Sequence, residues 1–210
     1  VTALIRDPTK LPLHLNLRIT VGTPASLSSV RTAFNTDDST DHNGPFSRPI
    51  EAVISCLATP GSPSPLDPPA TPFLVTCAQN LLKVMREHHV SKYVTISAAG
   101  VGESYPYTGL LSHLLLHATN LLQAYAEHEA VEGLFKQAEE EASSGNTSTN
   151  FRWVAVRSVL MTEGEKKPVA TWGENGKGMR NEITRASLGD FLVRAVEEET
   201  WDGTTPVVSN

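Results

Sequence analysis

The stretch "FLVTCAQNLLKVMREHHVSKYVTISAAG", residues 73–100, changes its pattern partway along. As far as Met85 the apolar residues Leu74, Cys77, Ala78, Leu81 and Met85 recur at three- and four-residue spacing, which lines them along one face of a helix. From Lys92 the pattern becomes "KYVTISAAG", a largely apolar run rich in β-branched residues. Such a run fits a strand buried on both faces, and its small terminal residues allow close backbone approach by a ligand. Just upstream, "EAVISCLAT" at residues 51–59 has strand character too. Strand, helix, strand is the repeat of a parallel α/β sheet.

The alternation extends both ways from this unit. "TALIR" and "LRITVG" read as two earlier strands, and "TPASLSSVRTAF" as a helix capped by Thr23, with Pro24 in its first turn and Ala25, Leu27, Val30, Ala33 and Phe34 as its buried stripe. Residues 35–49 form a polar surface loop, and the prolines of "PGSPSPLDPPATP" oppose regular structure. Residues 109–142 are helical, with Leu110, Leu111, Leu114, Leu115, Ala118, Leu121 and Leu122 in the first half and a break expected near Ala124 or Gly133. "FRWVAVRSVLM" is a further buried strand. "PVATW", "NEITR", the helical "ASLGDFLVRAVEEE" and an edge strand in "TTPVVSN" complete the chain.

At 210 residues, 40% of them hydrophobic and 19% charged, the chain suits one domain with a sizeable core. Its net charge of −6 argues against a nucleic-acid binder. Cys56 and Cys77 are the two cysteines, too few for a disulfide scaffold and without metal-site spacing, which favours a reducing, cytoplasmic location. No run of 18 apolar residues occurs, so no membrane helix is expected. His113 and His117 have the i,i+4 spacing of zinc ligands but lack an HExxH motif or an evident third ligand, and no metal is expected. The Asn146 sequon reads as loop chemistry, and Lys166 and Lys167 as a solvated loop.

In order along the chain, "ALIRDPTKL", "AVISCLAT", "HHVSKYVTISAAG", "FRWVAVRSVLM" and "EITRASLGDFLVRAV" resemble the atypical short-chain dehydrogenase/reductase superfamily, specifically NAD(P)H-binding NmrA-like proteins and flavin or biliverdin-IXβ reductases. The resemblance implies an α/β Rossmann-like fold, a doubly wound parallel sheet in one domain over residues 1–210. In that family an earlier strand and a glycine-rich turn precede the strand that "TALIR" resembles. The expectation is therefore a domain incomplete at its N-terminus, with a hole in the centre of the sheet.

The same resemblance implies the site. Arg6, aided by Thr9 or Lys10, would bind the 2′-phosphate of NADP(H), while Asp7 beside it leaves NAD(H) open. Gly22 and Thr23 would approach the adenine side, although the family often has an acidic residue where Thr23 stands. Cys56, Leu57 and Ala58 would contact the cofactor through their backbone, Cys56 reading as a buried small hydrophobe and not a nucleophile. Ser97, Ala98 and Ala99 would line the nicotinamide side, with Ser97 as candidate catalytic hydroxyl or structural cap. Arg157 would support the crevice, with Ser158 where the family commonly has proline. Tyr125 is followed at i+4 by Glu129 instead of lysine, so the usual Tyr–Lys acid–base pair is missing. Two readings follow: an NADP(H)-dependent oxidoreductase acting on a small conjugated or carbonyl-containing organic substrate, and a non-catalytic NAD(P) sensor with a protein partner.

Overall fold

The computed structural model describes residues 1–11, 14, 16–35, 49–58, 72–109, 119, 121–144 and 150–210. The proline-rich residues 60–71, most of the 35–49 loop, the Asn146 sequon, the His113/His117 pair and nearly all of the first half of the 109–142 helical region lie outside these.

The strand–helix–strand unit read from residues 51–100 is present as β3 (Ala52–Ser55), α2 (Phe73–Glu87) and β4 (Lys92–Ala98). All five apolar residues expected on the helix face are buried. β4 pairs in parallel with β3 on one edge and with β5 (Arg152–Ser158) on the other. Alternate residues of these strands feed two cores. Tyr93, Trp153 and Ala155 join a cluster with α2, α1 (Leu27–Phe34) and α3 (Leu121–Ser143), whereas Val94, Val154 and Val156 join one with α4 (Arg185–Glu197). Helices thus cover both faces, and the strand sequences are apolar at successive positions for that reason.

The sheet is split. β1 (Thr2–Ile5) pairs in parallel with β2 (Arg18–Val21), and the main sheet runs β3-β4-β5-β9-β7, with β9 at Val207–Ser209 and β7 at Ala170–Thr171. β6 (Leu160–Thr162) and β8 (Glu182–Thr184) form a small parallel pair. Among the described residues β1 pairs only with β2, and β3 only with β4. Leu4 of β1 and Val53 of β3 nevertheless pack against the same cluster beneath α1 and α2. Among the described residues, no ladder joins the β1–β2 pair to β3. Val21 is 63% exposed and Ile54 42%, although both are apolar strand residues.

Three local expectations are corrected. Ser26, not Thr23, caps α1, accepting from the Ser29 N–H; the Thr23 hydroxyl accepts from the Ala25 N–H and holds residues 23–26 in a turn, leaving Ala25 exposed. α3 runs unbroken through Ala124 and Gly133, because tertiary packing of Val131, Phe135 and Ala138 overrides the local glycine. β9 is interior, parallel to β5 and antiparallel to β7, and its three residues are buried.

α2 begins at Phe73 after Pro72, which offers no side-chain cap. The buried Glu127 carboxylate of α3 fills that role, accepting from the Leu74 N–H at 2.6 Å, so one helix stabilises the positive end of another. On this architecture, amides of β1 and β3 will exchange with solvent well ahead of those of β4 and β5 in native-state hydrogen exchange, because among the described residues each of the first two strands is paired along one edge only. Equal protection across all four strands would contradict the split ladder.

Candidate functional site

Parallel pairing puts the C-terminal ends of β3, β4 and β5 at one end of the main sheet, where open α/β folds bind ligands. There β4 turns at residues 98–102 with two glycines in the left-handed region, Gly100 at φ +103° and Gly102 at φ +54°. A side chain at either would meet something: a Cβ on Gly100 would lie 2.8 Å from the Tyr125 ring, and one on Gly102 2.9 Å from Arg157 Nη2. The turn is pinned by its own polar groups as well. The Gly100 N–H donates to Ser104 Oγ, Ser104 Oγ donates to the Val101 carbonyl, and Tyr125 Oη donates to the Ala99 carbonyl.

Below this turn lies a buried ion pair. Arg157 on β5 is 3% exposed and Glu132 on α3 is 4% exposed. Arg157 Nη2 and Nε donate to the two carboxylate oxygens at 2.7 and 3.2 Å, and Nη1 donates to the Glu174 carbonyl at 2.8 Å. Ser97, opposite Arg157 in the β4–β5 register, donates to Glu132 Oε1 at 2.8 Å. Arg157's three donating nitrogens are all engaged, so the pair meets the geometric condition for tolerating burial.

The residues singled out in the sequence fall into two groups. At the end of the main sheet Ser97 is 2% exposed with its hydroxyl committed to Glu132; Ala98 is half-buried, Ala99 buried, and Ser158 buried with its hydroxyl directed to the Ser97 carbonyl. Leu57 is half-buried and Ala58 exposed. Cys56 is exposed, contrary to the expectation of a buried hydrophobe; Cys77 is the buried cysteine, its thiol pushed up to about 11 by desolvation and by the Glu127 charge. Strand alternation accounts for the exchange, because Ser55 takes the inward position beside Cys56.

The second group follows β1 and β2. Arg6 is exposed at the end of β1 and makes no hydrogen bond or ion pair among the described residues. Asp7 is otherwise occupied: its carboxylate accepts from the Thr9 N–H and hydroxyl, bonds that hold it below the usual carboxylate range. Lys10 is exposed in the same short turn. Gly22 lies alongside, its N–H donating to the Ile5 carbonyl, and a Cβ there would lie 2.6 Å from Ser29 Oγ. Thr23 is half-buried. No hydrogen bond links the two groups among the described residues.

Glu132 and His128 escaped the sequence reading. With Tyr125 they stand at i, i+3 and i+7 on α3, one stripe of the helix, and a polar stripe within an otherwise apolar helix face was the available signal. His128 lines a small cavity with Ser55, Tyr93, Thr95 and Ile96.

A family model described as NAD(P)H-binding matches residues 1–199. Among solved structures, a short-chain dehydrogenase/reductase from Veillonella parvula DSM 2008 in complex with NADP is similar at TM-score 0.68 and 12% identity, over 100% of this chain and 82% of that one. The ethylated form of the Veillonella protein gives TM-score 0.69 and 11% identity, over 100% and 81%. ChuY, described as an anaerobillin reductase from Escherichia coli O157:H7, gives TM-score 0.65 and 12% identity, over 99% and 83%. No curated protein sequence matches the chain.

Burial lowers the His128 pKa from its ordinary 6.5, a shift that the Glu132 charge opposes. A depressed folded-state pKa means that the unfolded chain takes up the proton first as pH falls. The associated stability is present above pH 6.5 and is lost on acidification through that value towards the folded pKa. Thermal unfolding followed across this range should show a steeper acid decline for the native chain than for His128→Gln; parallel curves would remove His128 from the acid limb.

Proposed function

The chain belongs to the NAD(P)H-binding family, and from that premise we propose that it is an NADP(H)-dependent oxidoreductase transferring a hydride to or from a small conjugated or carbonyl-containing organic substrate. The observation that carries the cofactor preference is the free Arg6 guanidinium, beside an Asp7 whose carboxylate is engaged by Thr9. A free guanidinium suits a phosphate dianion, whereas a free carboxylate would have suited ribose hydroxyls. At the other group, the small, half-buried Ala98 side chain fits close approach by a planar ring. The residues present therefore fit NADP(H), with Arg6 and Lys10 at its phosphate and the 98–102 turn beside its nicotinamide.

Bound NADP(H) would supply the hydride, the substrate's electrophilic carbon would accept it, and solvent would deliver the accompanying proton. The protein's part in that scheme is position and exclusion of water. Of the hydroxyls near the turn, Ser97 donates to Glu132 and Tyr125 to the Ala99 carbonyl. Burial raises the Tyr125 pKa, which keeps the phenol neutral. These engaged hydroxyls also favour the second reading, a non-catalytic NAD(P) sensor. The similarity to ChuY, described as an anaerobillin reductase, makes an anaerobillin a sensible member of a substrate panel.

Titration of the native chain and Arg6→Ala with both cofactors tests the preference. Loss of one charge-assisted contact should weaken NADP(H) by roughly ten- to a hundredfold and leave NAD(H) nearly unchanged; equal weakening of both, or of neither, would remove Arg6 from the site. For turnover, NADPH oxidation and product formation are followed together over flavins, quinones and conjugated carbonyl compounds. Tyr125→Phe keeps the ring against Gly100 and should retain most activity, while binding without turnover across the panel would favour the sensor.

A further inference from the structure

We infer that Glu132 is a positioning residue: acting through Arg157 and Ser97, its carboxylate fixes the 98–102 turn in the shape that hydride transfer requires. The shaping of the turn stands on the geometry alone, and its consequence for catalysis rests on the oxidoreductase reading.

The Glu132 carboxylate is the common acceptor of a network that ends at the turn. One oxygen receives the Ser97 hydroxyl, one residue before the turn begins, together with Arg157 Nε. The other receives Arg157 Nη2, the nitrogen that a Cβ on Gly102 would approach to 2.9 Å. The guanidinium plane is thus clamped on one side by Glu132 and on another by the Glu174 carbonyl, and it takes the space that a side chain on Gly102 would need. Seven residues earlier on the same face of α3, Tyr125 bonds the Ala99 carbonyl and packs on Gly100. A single helix therefore sets both ends of the turn, one end by the Tyr125 ring against Gly100 and the other by a carboxylate working through arginine.

The chemistry of the network separates this role from simple packing. A buried ion pair is seldom more stabilising than apolar residues of the same volume. What an ion pair adds is direction, because the planar fork of arginine accepts a carboxylate in few orientations. This pair sits at the C-terminal ends of β4 and β5, where orientation of the backbone decides how a ring can lie.

The test uses the whole chain and the variants Glu132→Gln, Glu132→Asp, Gly102→Ala and the Glu132→Gln/Gly102→Ala double. NADPH affinity, kcat and KM are measured with the substrate panel, and Gly100 and Gly102 amide shifts are followed by NMR. Glu132→Gln should lower kcat by about a hundredfold while NADPH affinity changes by less than about threefold, since phosphate contacts lie elsewhere. Glu132→Asp should recover part of the loss. The double variant should be no worse than the poorer single, as expected for two changes acting on one turn.

Unchanged kcat in Glu132→Gln, proportionate loss of affinity and turnover, or additive effects in the double variant would overturn the assignment. If the native chain binds no NADP(H) or turns over nothing, the reductase reading fails separately and the amides decide. Displaced Gly100 and Gly102 shifts in Glu132→Gln, with the α1 amides unmoved, then support the role, and unmoved turn amides reject it. Should Glu132→Gln fail to fold, Ser97→Ala removes one bond of the network without stranding a charge and is read by the same amides.

Discussion

The ion pair between Glu132 and Arg157 is the constraint on which the interior hangs, because it joins a helix that covers one face to the middle of the sheet. Arg157 belongs to β5, the strand with neighbours on both edges and helices on both faces. Glu132 belongs to α3, the helix that also caps α2 through Glu127 and holds the end of β4 through Tyr125. Removing one charge would leave the other uncompensated in a dry site, at a cost of about 3–5 kcal/mol. A change at this pair therefore propagates into three secondary elements and one loop, whereas the exposed pairs Arg31–Glu87 and Arg86–Glu141 bridge helices at the surface, where water screens them.

The split ladder distributes order unevenly around that centre. β4 and β5 have both edges paired over at least part of their length, and their side chains fill two cores. β1 and β2 pair with each other, and side-chain contacts tie that pair to the rest. Arg18 donates to the Ala33 and Asn35 carbonyls at the C-terminus of α1, where a cation also meets the negative end of the helix dipole. Leu4 adds contact with the shared cluster. The group around Arg6 therefore stands on the less interlocked part of the molecule, and the 98–102 turn on the more interlocked part.

What the sequence made legible was whatever follows from local period. β4 and β5 announce themselves because burial on both faces demands continuous apolar runs, and α2 because its five apolar positions repeat at helical spacing. What stayed hidden depends on partners distant in the chain. β9 looks like an edge strand because three residues cannot reveal that β5 and β7 flank them. Thr23 reads as the cap until the turn over residues 23–26, which hands that place to Ser26, is seen. Glu132 resembles any solvated helix glutamate, since its two principal partners are 25 and 35 residues away.

The two groups of candidate residues also divide by electrostatics, and the division bears on how such a site can be both selective and well shaped. Arg6 is an exposed cation with no ion pair among the described residues, which on the proposed reading would let it discriminate an extra phosphate; the Asp7 carboxylate is engaged by Thr9. The same exposure makes the Arg6 attraction sensitive to salt. At the turn the charges are present but cancelled, so Glu132 and Arg157 contribute little net field and much geometry. A neutral, interlocked platform suits a ring whose charge differs between its oxidised and reduced forms, because it need not prefer either strongly. On the proposed reading, selection of the cofactor belongs to the exposed edge of the molecule and alignment of the reacting atoms to its interior, and each can change without disturbing the other.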